Sequence, residues 1–296
     1  MAIRSELDCI PCLFAQAVRG ARTAGLGEAE GRALLAWLGG EIARLDPDRS
    51  PPENGVVLYR RLTELAGGDP FLAVKRRHTA AALGLVPPMR RLVEAADDPL
   101  DAALRLASAG NRLDPGALAD VERPEAILER ALGAPSPRWD RGAFRHALAG
   151  ARSLLLVADN AGEIVFDRVL LETIRRLYPG IELTVVVRGM PVINDATRED
   201  AEAAGLGEIA ELLDTATDIP GFVPELVPDT VRRAFDGADV VLSKGQGNYE
   251  TLTGCGREVF FLLQVKCAVV ARHTGQPVGS SLLLDETPRT EDAGTR

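Results

Sequence analysis

The chain has 296 residues, 46% of them hydrophobic and 26% charged, enough for one large domain or two joined ones with a substantial core. A formal net charge of -9 gives a field that repels phosphate backbones and excludes nucleic acid as a general partner. Any anionic ligand therefore needs local help from a cation, a lysine or backbone amides.

The start, MAIRSELDCIPC, has acidic residues and no apolar leader, and no run approaches the roughly 20 apolar residues that span a bilayer. A cytoplasmic protein without a membrane partner is expected. Four cysteines in such a chain do not form a disulfide framework. From about Cys12 to residue 135 the pattern is helical: Leu34, Leu35, Leu38, Ile42 and Leu45 fall on one face at the 3.6-residue period. Pro-rich and Gly-rich breaks at DPDRSPPEN, GGDP and near Val86 and Asp97 divide this half into helices of ordinary length. Residues 1–135 are therefore predicted to be a helical domain.

The pattern changes after GAPSPR. Apolar, β-branched runs at Ser153 to Ala158, Ile181 to Val187, Ala238 to Ser243 and Val259 to Val265 read as buried parallel strands. Helix-like stretches such as Glu163 to Leu177 lie between them. Residues 136–284 thus predict an α/β class domain, a doubly wound Rossmann-like α/β/α sandwich. Residues 285–296, a polar stretch, are expected to form a flexible tail.

In open α/β sheets, ligands bind beyond the carboxyl ends of the strands. The first predicted strand runs into Asp159-Asn160-Ala161-Gly162-Glu163. The second leads through Arg188-Gly189 to Asn194-Asp195, the third into Lys244-Gly245-Gln246-Gly247-Asn248, and the fourth ends at Lys266-Cys267. Four strands thus deliver carboxylates, amides, lysines and a thiol to one sheet edge. Asp159, Asn160 and Asp195 offer hard oxygen donors suited to a divalent metal such as Mn, Mg, Co or Ni. Lys244 and the amides around Gly245 and Gly247 are candidates for binding phosphate. The plain alternatives are helix caps at Asp159, Asn160 and Asp195 and a simple turn at Lys244.

Cys9 and Cys12 form a C-x-x-C pair without a second such pair, and Cys267 ends a predicted strand. The three are candidates for a soft-metal or redox site; ordinary structural thiols are the alternative. His78, His146 and His273 show no ligand spacing, and no G-x-S-x-G elbow or Walker A sequence occurs.

DNAGE at Asp159 to Glu163, NDAT at Asn194 to Thr197, SKGQGNYE at Ser243 to Glu250 and GNxxD at Gly110 to Asp114 resemble, in order, the motifs of the damage-control phosphatase family, formerly domain of unknown function eighty-nine. Cys9-x-x-Cys12 and Lys266-Cys267 resemble marks of its prokaryotic branch. The resemblance implies a helical region packed on a Rossmann-like domain and a divalent metal held by Asp159, Asn160 and Asp195. It further implies that Lys244 contacts phosphate, with Glu163, Asn194 and Asn248 in the substrate site and Asn111 and Asp114 closing over it. One departure is that Lys75-Arg76 is followed by Arg77-His78-Thr79 where the family carries KRxxN. The function so implied is metal-dependent hydrolysis of small phosphorylated metabolites, with oligomeric state open. The alternatives are a methyl-donor-dependent carboxyl methyltransferase, an activity attributed to a relative, and a non-catalytic redox-gated module binding metal or phosphometabolite. The first βα turn has a single Gly, where a methyl-donor turn usually has several.

Overall fold

The computed structural model describes residues 3–110 and 124–286. Asn111 and Asp114 lie outside the described residues. The first half is helical, as the periodicity predicts: α1 Cys9–Thr23, α2 Glu28–Glu41, α3 Pro51–Ala66, α4 Leu72–Gly84, α5 Val86–Ala95, α6 Pro99–Gly110 and α7 Pro124–Leu132. The Pro and Gly breaks act through local chemistry. At α3, Ser50 and Glu53 form a reciprocal capping box, Pro51 fills the first helical position, and Gly67 closes the end at φ 67.

After α8 (Arg141–Gly150) come β1 Ser153–Val157, α9 Ile164–Leu177, β2 Glu182–Val187, α10 Arg198–Ala203, β3 Glu211–Asp214, α11 Asp229–Gly237, β4 Val240–Lys244, α12 Gln246–Leu252, β5 Val259–Gln264, α13 Ala268–Thr274 and β6 Ser281–Glu286. Their order in one sheet is β3-β2-β1-β4-β5-β6. The first five are parallel, and β6 runs antiparallel to β5. Strand side chains alternate between two cores, as the two-residue period requires. Leu154, Leu156, Val185, Leu242 and Phe260 enter one, whereas Leu155, Val157, Val186, Val241 and Phe261 enter the other.

The four predicted strands are present. β3 and β6 were not expected, and part of the expected tail is strand, with Asp285 and Glu286 paired to Phe260 and Val259. Nor does the packing divide at residue 135. Leu104, Leu106 and Ala107 of α6 share a core with Leu156 and Leu242 of the sheet, while α1 to α3 pack around a separate core of Leu13, Leu34, Leu38, Leu58 and Leu62. Among the described residues no helix is long and apolar enough to cross a membrane.

The strand order positions the site. From β1 the chain builds outward to β3, then returns to place β4 on the other side of β1. Helices leave oppositely from β1 and β4, which opens a crevice at their carboxyl ends.

Candidate active site

The crevice is floored by Asp159 and Asn160, immediately beyond β1. The loop after β2 is laced to this turn by backbone hydrogen bonds. Ala196 N–H donates to the Asp159 carbonyl at 2.8 Å and Ala161 N–H to the Asn194 carbonyl at 2.9 Å. Asn160 and Asp195 face one another as an isolated bridge. Asp159 and Asp195 are 8% and 4% exposed. The loop reaches this geometry through Ile193 at φ 45, a left-handed conformation unusual for a β-branched residue.

Beyond β4, Gly245 sits at φ 78 against Asp159, and an added Cβ would lie 2.0 Å from Asp159 Oδ2. A side chain there would fill the space the carboxylate occupies, so glycine is required both by φ and by close approach. Its N–H is already spent on Leu262 O at 3.1 Å, so the expected Gly245 amide is not offered to a ligand. Gly247 does line the crevice, as does Asn194.

Three expected substrate contacts are placed elsewhere. Lys244 is fully buried, and its Nζ donates to Glu163 Oε1 at 2.6 Å, to Asp167 Oδ1 and to Ala107 O at 3.1 Å. An ammonium has three protons, and all three are engaged. Lys244 therefore braces the floor from beneath and does not face a phosphate. Glu163 belongs to the same buried cluster, accepting also from Asn160 Nδ2 at 3.1 Å. Asn248 is likewise enclosed. It accepts from Arg188 Nη2 at 2.8 Å and donates to the Ala158 and Lys244 carbonyls at 3.0 and 2.7 Å. Arg188 completes the scaffold by donating from Nε to Asp195 Oδ2 at 2.7 Å. At the departure from the family pattern, Thr79 is buried in α4 and its hydroxyl has no hydrogen-bond partner among the described residues.

These contacts allow the charge to be counted. In this hydrogen-bonded network four buried carboxylates, Asp159, Glu163, Asp167 and Asp195, stand against two buried cations, Lys244 and Arg188, an excess of two negative charges when all are ionised, and a fifth buried carboxylate, Glu250, lines the same crevice. Burial, then Glu163, pushes Asp159 up to about 7. Burial raises Asp195 despite Arg188. Burial also raises Asp167 against the pull of Lys244. A divalent cation matches this excess. Asn160 spends its amide protons on Asp159 and Glu163, leaving its carbonyl oxygen as a donor beside the two aspartates. Two carboxylates and an amide oxygen fit a hard cation with coordination positions left open.

The excess predicts a pH dependence. Asp159 ionises near 3.8 when unfolded and near 7 when folded. Between those values the folded state binds the extra proton, so this stability is fully present below the lower value and is lost as pH rises through the upper one. In chelator, the melting temperature is expected to fall between about pH 5 and pH 7.5, by a few degrees. A melting temperature that rose across this range would contradict the buried excess charge.

The crevice opens into a cavity of about 1200 Å³ beneath α1 and α3. Cys9, Cys12 and Cys267 all line it, and burial raises the Cys9 and Cys267 thiols. Among the described residues, however, no group of three or more His, Cys, Asp or Glu is arranged to hold a metal, so the possible soft-metal centre is not assembled. Lys266, at the end of β5, lines the cavity and draws down both Asp159 and Asp195 electrostatically. Exposed and without an ion pair among the described residues, it has the freedom that Lys244 lacks. Its sequence signal was its strand-end position. Asp167, four residues after Glu163 and on the same helical face, was not anticipated.

Comparison with known proteins identifies the family. A family model for the damage-control phosphatase ARMT1-like domain matches residues 6–282. An uncharacterised protein of Methanocaldococcus jannaschii is 31% identical, with 96% of each chain covered. A damage-control phosphatase of Archaeoglobus fulgidus is 36% identical over 75% of this chain and 78% of its own. A crystal structure of a DUF89 family protein from Pyrococcus horikoshii matches with a TM-score of 0.86 at 28% identity, covering 96% of this chain and 99% of the other. The chain therefore belongs to the damage-control phosphatase ARMT1-like family.

Proposed function

We propose that this protein is a metal-dependent phosphatase that hydrolyses small phosphorylated metabolites, damaged ones among them. The observation carrying this reading is the pair of buried carboxylates and the amide at the β1/β4 crevice, two charges short of neutrality and open to a cavity. Asp159, Asn160 and Asp195 would hold Mn, Mg, Co or Ni; the metal would supply Lewis-acid stabilisation of the charge that develops on the phosphoryl oxygens. Lys266 meets those oxygens from the β5 side. Lys244 fixes Glu163, which with Asp159 fixes the Asn160 amide, so the donor oxygen is held in place before substrate arrives. Water attacks phosphorus, the bond to the substrate oxygen breaks, and the leaving oxygen takes a proton from solvent.

The test is phosphate release from sugar phosphates and nucleotides after chelation and return of single metals. Lys266→Ala is expected to raise KM about tenfold with a smaller change in kcat, as for loss of one charge-assisted contact present in ground and transition states. Absence of release with every metal and substrate would remove the phosphatase reading. An unchanged KM would remove Lys266 from phosphate binding.

A further inference from the structure

The cavity is large for the substrate just proposed. Its volume of about 1200 Å³ exceeds even the roughly 300–1,000 Å³ that encloses a drug-sized ligand. Only two of its described lining residues are basic, Lys266 and Arg19, and they belong to different elements. Lys266 lies just beyond β5 beside the floor; Arg19 lies on α1 within the roof.

α1 turns one polar stripe toward this space. Cys9, Cys12, Gln16, Arg19 and Thr23 all line the cavity at spacings of three and four, which places them on one helical face. Leu13, Ala17 and Ala21 are buried in the core of the helical cap. The middle of the stripe is already satisfied internally. Tyr59 Oη donates to Gln16 Oε1, and Gln16 Nε2 donates to Cys12 Sγ at 3.2 Å. Arg19 differs: it is exposed, and its guanidinium makes no hydrogen bond or ion pair among the described residues. Burial and then Asp195 push the Tyr59 hydroxyl up, and Arg19 lies close enough to oppose part of that rise. Ten residues separate Arg19 from Cys9, about 15 Å along the helix axis. Cys9 feels Cys267, the neighbour of Lys266. The two cations are therefore set apart along the cavity, with the acidic floor repelling any anion not held by one of them.

From this arrangement, and resting on the phosphatase reading, we infer that the substrate carries a second anionic group, a phosphate or carboxylate remote from the phosphate that is cleaved, and that Arg19 binds it. Arg19 is a specificity residue in this assignment, since it contacts the end of the substrate that does not react. A guanidinium suits either anion because its donors can pair with two oxygens at once.

The experiment uses two matched pairs, fructose 1,6-bisphosphate against fructose 6-phosphate and 6-phosphogluconate against glucose 6-phosphate, with wild type, Arg19→Ala, Arg19→Lys and Arg19→Glu. Wild type is expected to favour the member with two anionic groups by about tenfold or more in kcat/KM. That ratio falls toward unity in Arg19→Ala, is partly kept in Arg19→Lys and inverts in Arg19→Glu. Equal ratios in all four proteins overturn the inference. If no metal supports turnover, calorimetric binding of the same four compounds to the Mn²⁺-treated proteins decides it by the same ratio. The phosphatase reading can then fail while the assignment of Arg19 is independently upheld or overturned.

Discussion

Asp159→Ala and Asp195→Ala are each expected to lower metal-dependent phosphate release by about 10³-fold or more, because each removes a donor to the group that stabilises transition-state charge. The two variants should differ in stability. Asp159 belongs to a buried cluster with excess negative charge, so deleting it relieves repulsion and the melting temperature in chelator should be unchanged or higher; Asp195→Ala instead strips the buried Arg188 of its partner at 2.7 Å and should lower it. The second readout is metal binding itself. In wild type, Mn²⁺ at 100 times its Kd should stabilise the fold by about 2.7 kcal/mol, and this increment should vanish in both variants. A variant that kept the metal increment and lost only turnover would mean that the residue acts directly on substrate. A variant that kept both would remove it from the site.

Lys244→Met is expected to be the most destabilising of these changes. It leaves Glu163 and Asp167 enclosed without their cation, and breaking a buried ion pair from one side costs about 3–5 kcal/mol. In a chain of this size that is a fall of about 10 °C in melting temperature. Adding Glu163→Gln and Asp167→Asn should restore much of the loss, because neutral amides can remain buried with hydrogen bonds where bare carboxylates cannot. Thermal unfolding of the single and triple variants checks this. Lys244→Met with wild-type stability and a raised KM would instead support the phosphate contact that the motif resemblance implies.

The difference between Lys244 and Lys266 shows where sequence reading stops. Both lysines lie at the carboxyl ends of buried strands, Lys244 as the last residue of β4 and Lys266 just beyond β5, and both were placed at this edge by period and by strand-end position. Which one is free depends on Asp167 and on the Ala107 carbonyl of α6, and neither lies near Lys244 in the chain. The parallel strands were legible because burial on both faces requires continuous apolar runs. β3 was not, being four residues long with no fully buried position. β6 was obscured because its apolar run leads directly into polar residues at the end of the chain. Asp159, Asn160 and Asp195 were legible as donors, whereas the bracing by Arg188 and Asn248 depends on contacts across sixty positions.

The strand order also has a consequence for folding. The floor residue Asp159 and the glycine that must lie against it come from β1 and β4, neighbours in the sheet but separated in the chain by two complete βα units. No early local structure can bring them together, and the loop-closure entropy must be met before their contacts give any return. The site should thus be among the last regions to consolidate during refolding. Acquisition of Mn²⁺-dependent protection would then report completion of the central sheet, whereas helical signal from α1 to α3 could appear earlier.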